Sequence, residues 1–338
     1  MLDMHFHSKL SDGRKTNGEI IKEAKKQGLE FITCTDHDII NTEFPTLAIA
    51  NGIKSVEAVE ISGFDENLKR HLHLTCYSQG FNSEIHEVLK LSRAGRQEKI
   101  ELQVELLVSK GFQIEFKKFF EYFKNKGINP LNLNSSHLSS YIYGNQYNID
   151  LIKKLTGEKL SRDEFIKECL KDEGKYHQIG AVTIPEYEPN LQKCVSLAKQ
   201  NSAILSIAHP NSKFTTREFK RRIEYYLELG INAVEINAKA SQKWVKLILN
   251  LREKYNFILT FGSDCHFKSY LENEHGELGK MNPYVPQNMV NLNLYYIQKK
   301  LGLIKNASLD PNLGGDLGND VIEYVKMREE QPVYNLNS

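Results

Sequence analysis

Short runs of β-branched and other apolar residues recur along the first 80 residues and again after residue 200. Each is bounded by turn-forming residues, the pattern of buried strands. The runs are Leu2–Met4, Phe31–Thr35, Val56–Ile61, Leu72–Tyr77, Ala203–Ala208, Ala233–Ile236 and Phe257–Phe261. Between several of them the apolar period lengthens to that of a helix. Residues 17–27 stop at Gly28, residues 215–229 stop at Gly230, and residues 239–255 lead into the last run; glycine is a common helix stop. Alternation of strand and helix predicts an α/β chain, and seven such strands predict a parallel barrel.

The stretch between the fourth and fifth runs is too long for one crossover and predicts an inserted helical cap over residues 81–195. The barrel is then discontinuous, built from residues 1–80 and 196–290, with a C-terminal extension at 291–338. Inside the insert, Ile85, Val88, Leu89 and Leu91, then Ile100, Val104 and Leu107, recur at helical spacing. Phe116, Phe119, Phe120, Tyr122 and Phe123 form an aromatic stripe, read as core rather than as a platform for stacked bases. In the extension, the glycine-rich run from Leu313 to Gly318 is too irregular for a phosphate loop.

Composition narrows the function classes. At 338 residues and 40% hydrophobic content the chain exceeds what a barrel of about 250 residues requires. A net charge of +1 supplies no global field to attract long nucleic acid. The five cysteines, Cys34, Cys76, Cys169, Cys194 and Cys265, are scattered and form no CxxC, which argues against a disulfide framework or a zinc knuckle. The first strand starts at Leu2, leaving no room for a cleavable leader, and no apolar run is long enough for a bilayer, so the expected compartment is the cytoplasm.

Candidate metal ligands gather at the carboxyl ends of the strands. His5 and His7 stand at i and i+2, so on a strand both point to one face. Ser11-Asp12-Gly13 and Thr35-Asp36-His37-Asp38 follow. Glu60 ends the third run, His73 lies in the fourth, His209 follows the fifth, and Asp264 and His266 follow the seventh. A lone His-x-His pair is weak evidence, but barrel enzymes assemble their sites from residues at these strand ends.

Taken in order, Asp-x-His-x-His, Ser-Asp-Gly, Thr-Asp-His-Asp, a strand-end Glu, His-Leu-x-x-Tyr, Ala-His-Pro and Ser-Asp-x-His resemble the PHP (polymerase and histidinol phosphatase) family of metal-dependent phosphoesterases. The resemblance covers residues 1–80 and about 195–275. It implies a distorted, TIM-like (β/α)7 barrel holding two or three divalent ions of Mn, Fe or Zn. Position by position it implies that His5, His7, Glu60 and Asp264 hold a first ion. Glu60, bridging, with His73 and His209 would hold a second, and Asp12, His37 and His266 a third. Some members have His where this chain has Asp12, and a hard oxygen ligand there favours Mn²⁺ or Fe²⁺ over Zn²⁺. The implied chemistry is attack on phosphorus by a hydroxide bridging the first two ions, with Glu60, Asp264 and His266 at the reacting centre.

In the cap, Arg93 and Arg96 lie one helical turn apart and His137 follows Asn134-Ser135-Ser136. Read plainly, these are a solvated helix face and a capping loop. The layout also resembles the cap of the PHP subgroup that acts on nucleotides, including nucleoside 3′,5′-bisphosphates and short oligonucleotides, and guanidinium forks suit a second, non-reacting phosphate. The expected partner is therefore a small phosphorylated substrate, a nucleotide, and neither a membrane nor long nucleic acid. That subgroup has Arg where this chain has Ser136, so Lys213 or Arg217 would have to complete the clamp. Histidinol phosphate is the alternative substrate. A non-catalytic scaffold of the kind attached to polymerases would show decayed ligands, whereas a candidate stands here at every ligand position.

Secondary candidates have two readings each. Asp3 is expected to orient a ligand imidazole, and Asp36 and Asp38 to do likewise or to cap a turn. Glu235 and Asn237 could line the site or form a salt bridge or turn. His71 shares a face with His73, but the His-Leu-x-x-Tyr register assigns the ligand to His73. His86, His177 and His275 are expected at the surface, and Cys265 to pack rather than ligate.

Overall fold

A computed structural model describes residues 1–183, 188–267 and 275–304. Most of the C-terminal extension, including 313–318, lies outside them. The described strands are β1 (Leu2–Asp3), β2 (Phe31–Ile32), β3 (Glu57–Asp65), β4 (Arg70–Ser78), β5 (Ile204–Ile207), β6 (Ala233–Asn237) and β7 (Ile258–Gly262). Each falls within or overlaps one of the seven apolar runs. The helices are α1 (Asn17–Lys26), α2 (Glu43–Ala50), α3 (Ser83–Ser109), α4 (Phe116–Lys124), α5 (Ser135–Ile142), α6 (Gln146–Thr156), α7 (Arg162–Cys169), α8 (Leu191–Gln200), α9 (Pro210–Lys213), α10 (Thr216–Leu229), α11 (Gln242–Tyr255) and α12 (Gln287–Lys300). Their starts obey local chemistry: Thr16, Ser161 and Thr215 each accept from the backbone three residues on, and Glu19, Glu164 and Glu218 close the capping boxes.

The strands form a parallel pair, β1–β2, and a five-stranded sheet in the order β3-β4-β5-β6-β7. The expectation of an all-parallel barrel is corrected here, because β4 runs antiparallel to both β3 and β5. Only the residues between Asp65 and Arg70 join β3 to β4, and Asp65 Oδ1 accepts from Asn67 N and Leu68 N to shape that turn. A connection so short permits only a hairpin, since a parallel crossover needs a dozen or more residues. Continuous ladders do not close the two sheets into a ring among the described residues. Single contacts link them instead: Phe6 bridges Cys265, His37 bridges Glu60, and Met4 N donates to Phe261 O at 2.9 Å.

Three hydrophobic clusters hold this frame. The largest joins the five-stranded sheet to α8, α10, α11 and the start of α3, burying Val59, Leu74, Leu205, Val234, Leu259 and Ile248. A second, around Phe6, Ile20, Phe44 and Cys265, packs α1 and α2 under β1 and β2. The third lies wholly within residues 100–179, built on Val104, Leu107, Phe119, Phe123, Leu138 and Phe165. The aromatic stripe divides: Phe119 and Phe123 are buried, while Phe116 and Tyr122 are exposed. Helix α3 belongs to two clusters, with Ile85 and Leu89 in the largest and Ile100, Val104 and Leu107 in the third.

Candidate metal centre

The end of β1 brings the first candidate ligand pair into place. His5 and His7 are fully buried and point the same way, with ring centroids 5.3 Å apart. Close passage of β7 against β1 makes this possible: a Cβ on Gly262 would lie 2.2 Å from the Cβ of His5, so only glycine fits there. Gly13 is under the same constraint, because a Cβ would meet the His7 carbonyl oxygen at 2.2 Å. That turn carries Asp12. His209 and Asp264 adopt positive φ values of 29° and 56°, strained backbone for residues with a Cβ.

These elements converge on Glu60, which is fully buried. Its Oε1 lies 2.9 Å from His209 Nε2, 3.1 Å from His73 Nδ1 and 3.4 Å from His5 Nε2. Its Oε2 lies 2.9 Å from His37 Nδ1 and 3.4 Å from His7 Nε2. Asp264 Oδ1 approaches His7 Nε2 at 3.3 Å and His5 Nε2 at 3.5 Å. Asp12 Oδ1 approaches His266 Nε2 at 3.3 Å, and Asp12 Oδ2 approaches His37 Nε2 at 3.8 Å. All nine residues expected to ligate are thus neighbours in one cluster.

Electrostatics of the cluster follow from burial and proximity. Burial pushes the Glu60 carboxyl up, but the imidazoles of His37 and His5 and the hydrogen bond from His209 overcome it and hold the group well below its ordinary range. Asp12 behaves in the same way through His266 and His37, and Asp264 through His275 and His5. Burial drives the His73 imidazole down to about 3 in spite of Glu60. Three buried carboxylates are therefore ionised side by side, an arrangement that is costly without strong compensation.

Outward-facing atoms are tied down, which leaves the inward ones presented. His5 Nδ1 bonds to Glu235 Oε2 at 2.6 Å, His209 Nδ1 to Ser212 Oγ at 2.9 Å, and His266 Nδ1 donates to the Asp264 carbonyl at 2.9 Å. Asp264 Oδ2 bonds to His275 Nδ1 at 2.8 Å, and Asp12 Oδ2 accepts from Asn134 Nδ2 at 2.9 Å. The inward atoms His5 Nε2, His7 Nε2, Asp12 Oδ1, Glu60 Oε2 and His73 Nδ1 are buried and have no hydrogen-bond partner. Groups of three or four donors lie within metal-binding reach of one another: His5, His7 and Asp264; His5, Glu60 and His209; His37, Glu60 and His73; His7, Asp12, His37 and His266. Imidazole nitrogens and carboxylate oxygens left unpaired in this way fit divalent transition-metal ions.

Several secondary readings change. Asp3 does not touch an imidazole. It accepts from the backbone N–H groups of His5, Ser263 and Gly279 and from Ser263 Oγ, stitching β1 to the β7 loop, while burial raises its carboxyl to about 6. Glu235 takes the orienting role instead. His275, expected at the surface, packs 4.1 Å from the His266 ring and belongs to a further group with Asp264 and His266. Asp36 accepts from Ser8, Ser11 and Asn41 and so fixes the Asp12 loop, and Asp38 accepts from Ser62. His71 pairs with Glu188 at 2.5 Å, outside the cluster. His86 and His177 are exposed, and Cys265 is packed among apolar neighbours.

The residues expected to hold substrate are near but engaged. Arg96 forms an ion pair with Asp38 and reaches Ser62 Oγ at 3.3 Å, and Arg93 donates to the Asp38 carbonyl at 2.5 Å. Both guanidinium groups therefore brace the loop that carries His37. His137 is buried, caps α5 with Asn134 and packs edge-on against Phe123. Lys213, one turn after His209, is partly buried; burial and Lys171 push its ammonium below the ordinary range while Glu60 opposes them. Arg217 is exposed on α10. Asn134 and His275 were both missed as neighbours of the ligands.

Comparison with known proteins places the fold and the family. Among solved structures, the fold matches a Bifidobacterium adolescentis protein described as a "putative metal-dependent phosphoesterase", with TM-score 0.67 and 18% identity over 88% of this chain and 96% of that one. It also matches an amidohydrolase from Chromobacterium violaceum, with TM-score 0.63 and 20% identity over 78% and 87%. A curated relative, the phosphoribosyl 1,2-cyclic phosphate 1,2-diphosphodiesterase of Eggerthella lenta, is 26% identical over 122 residues. That match takes in 35% of this chain and spans about half, 47%, of the relative. No helix among the described residues is long and apolar enough to cross a membrane. The PHP domain model matches residues 3–317, nearly the whole sequence, and the chain belongs to that family.

Proposed function

We propose that this chain is a metal-dependent phosphoesterase that hydrolyses phosphomonoesters of small metabolites, most closely those of nucleotides. The observation that carries the reading is the set of five buried donor atoms without partners, on His5, His7, Asp12, Glu60 and His73, gathered where the carboxyl groups of Asp12, Glu60 and Asp264 meet the imidazoles. His5, His7, Glu60 and Asp264 would hold one ion, Glu60, His73 and His209 a second, and Asp12, His37 and His266 a third, with Mn²⁺ or Fe²⁺ favoured by the oxygen ligand at Asp12. Bound divalent ions would supply the positive charge that a phosphoryl dianion requires and would acidify water at neutral pH.

The chain's own groups have separable tasks. Glu235 keeps the His5 ring aimed inward, and Ser212 does the same for His209. Asp264 offers Oδ1 because His275 occupies Oδ2. Burial of Glu60 and of the rings around it keeps bulk water away, which strengthens every charge interaction at the reacting centre. A protonated group near Asp264 or His266, at the end of β7, would assist the departing oxygen. The seven strands, joined by the Phe6–Cys265 and His37–Glu60 bridges, are taken as a distorted (β/α)7 barrel, and residues 81–195 as its substrate-selecting cap. Five unpaired thiols suit a reducing compartment such as the cytoplasm.

Support for a nucleotide comes from three directions. The named substrate of the Eggerthella lenta relative is a phosphoribosyl compound. Arg93 and Arg96 lie in the insert with the buried His137 and, while bracing the Asp38 loop, would offer their remaining N–H groups to a second phosphate, and Lys213 adds positive charge beside His209. Ser136, in the place of the subgroup's Arg, leaves the choice between one and two phosphates to these residues. The test is a phosphate-release screen with Mn²⁺ over histidinol phosphate, AMP, 3′-AMP, nucleoside 3′,5′-bisphosphates and short oligonucleotides. Turnover of nucleotides supports the reading, turnover of histidinol phosphate alone replaces the substrate, and no turnover of any ester by the metal-loaded chain refutes the activity.

A further inference from the structure

Asn134 joins the insert to a carboxylate of the metal centre. Its Nδ2 donates to Asp12 Oδ2 at 2.9 Å, while Asp12 Oδ1 is buried without a hydrogen bond and faces His266 Nε2 at 3.3 Å. Asn134 also uses its other end: Oδ1 accepts from Ser136 N at 3.0 Å and His137 N at 3.2 Å, capping α5. His137 Nδ1 accepts from Asn134 N at 3.2 Å, and the His137 ring packs against Phe123 in the insert's own core, centroids 5.0 Å apart. Asn132 donates to the carbonyl of Leu10 in the same loop as Asp12. A continuous chain of contacts therefore runs from the hydrophobic interior of the insert to Asp12 Oδ2, which stands 3.8 Å from His37 Nε2, while Oδ1 lies closer to the cluster, 3.3 Å from His266 Nε2.

A carboxylate on a loop can present either oxygen, and pinning one selects the other. We propose that Asn134 is a positioning residue that selects Asp12 Oδ1 for the ion shared with His37 and His266, so that formation of this site and docking of the insert depend on each other. The inference rests on the metal-holding reading above. Linkage makes the dependence reciprocal: an ion that binds better when α5 is docked must hold α5 down to the same degree.

The test uses the full, metal-stripped chain, Mn²⁺ titration by calorimetry, and hydrogen–deuterium exchange across residues 129–142 with and without Mn²⁺. Asn134→Ser keeps an oxygen to cap α5 but is too short to reach Asp12. Asn134→Asp keeps the cap and sets a second carboxylate against Asp12. In the wild type, Mn²⁺ should slow exchange in α5. In Asn134→Ser, one class of sites should bind roughly tenfold more weakly, the range typical of a lost outer partner, with the remaining sites unchanged and the Mn²⁺-dependent protection of α5 gone. Asn134→Asp should lose at least as much.

Wild-type Mn²⁺ affinity and α5 protection in Asn134→Ser would overturn the proposal, as would a uniform loss of thermal stability with no change in Mn²⁺ binding. Mn²⁺ binding by the wild type without any protection of α5 would overturn it too, and that result needs no variant. Absence of Mn²⁺ binding by the wild type would instead defeat the metal reading itself, and this inference with it.

Discussion

Replacing Glu60 by Gln perturbs the centre with the least change of shape. The carboxylate contacts five imidazoles between 2.9 and 3.4 Å, and both groups of donors that include His5 with His209 and His37 with His73 depend on it. An amide keeps one oxygen but removes the negative charge and points an N–H pair at rings already in place. Two of the three proposed ions share this residue. At a hundredfold excess over its Kd, each ion stabilises the native state by about 2.7 kcal/mol. Two ions therefore contribute roughly 5 kcal/mol, which at roughly 2 °C per kcal/mol for a chain of this size is a rise of about 10 °C in Tm.

The assay is thermal unfolding of chelator-stripped protein with and without saturating MnCl₂, paired with metal content by mass spectrometry. The wild type should gain the full increment and retain two or three ions. Glu60→Gln should keep at most the increment of the Asp12, His37 and His266 site, less than half, and lose the corresponding ions. A variant that retains the wild-type shift and stoichiometry would refute the bridging role of Glu60. A wild type that neither binds Mn²⁺ nor shifts would refute the metal centre.

Three further outcomes follow from particular contacts. His275→Ala removes the partner of Asp264 Oδ2, so Mn²⁺ affinity should fall by about tenfold while the far-UV circular dichroism spectrum stays unchanged; an unaltered titration would return His275 to a packing role. Phe119→Ala opens a cavity in the insert's own cluster and should cost about 3–5 kcal/mol, with hydrogen exchange accelerating across residues 100–179 before it does in β3 to β7. Uniform acceleration across both would mean that the two clusters unfold as one. All five thiols are buried, and burial raises Cys76 to about 12, so the native protein should be inert to a disulfide reagent that titrates five thiols after denaturation; fast native labelling would contradict the packing around them.

Much of the fold was legible because period carries the information. Every apolar run contains or overlaps a strand, and the capped helices start where Thr16 and Thr215 say they should. Strand direction was not legible from period alone. The ten residues between Ile61 and Leu72 are too few for a helical crossover, and Asp65-Glu66-Asn67 is turn chemistry, so the β3–β4 hairpin was readable from spacing even though alternation elsewhere suggested a parallel barrel. The insert's helices α5 to α7 had no such clear stripe, since short helices with half their positions in a shared core show little period. Arg93 and Arg96 looked like open forks on a helix face because nothing local reveals that Asp38, 55 residues before Arg93, will meet them.

The centre divides along the same line. Its candidate ligands announce themselves by the order of their motifs, His5, His7, His209, Asp264 and His266 just beyond strand ends and Glu60 and His73 inside β3 and β4. The groups that aim them do not. Glu235 is 230 residues from His5 and Asn134 is 122 from Asp12, and Asn and Glu are too common on any surface to be singled out by type. His275 sits only eleven residues from Asp264, yet without a repeated motif around it the sequence shows a solitary histidine. What distinguishes an aiming residue is geometric: it occupies the outward atom of a ligand whose inward atom is unpaired. Two of the contacts described here meet that condition, at His5 and Asp12, and their partners come from β6 and from the residue that caps α5. The nine candidate ligands therefore share a signal in residue type that the groups aiming them lack, and it is at Glu235, Asn134 and His275 that substitutions should shift metal affinity without abolishing the site.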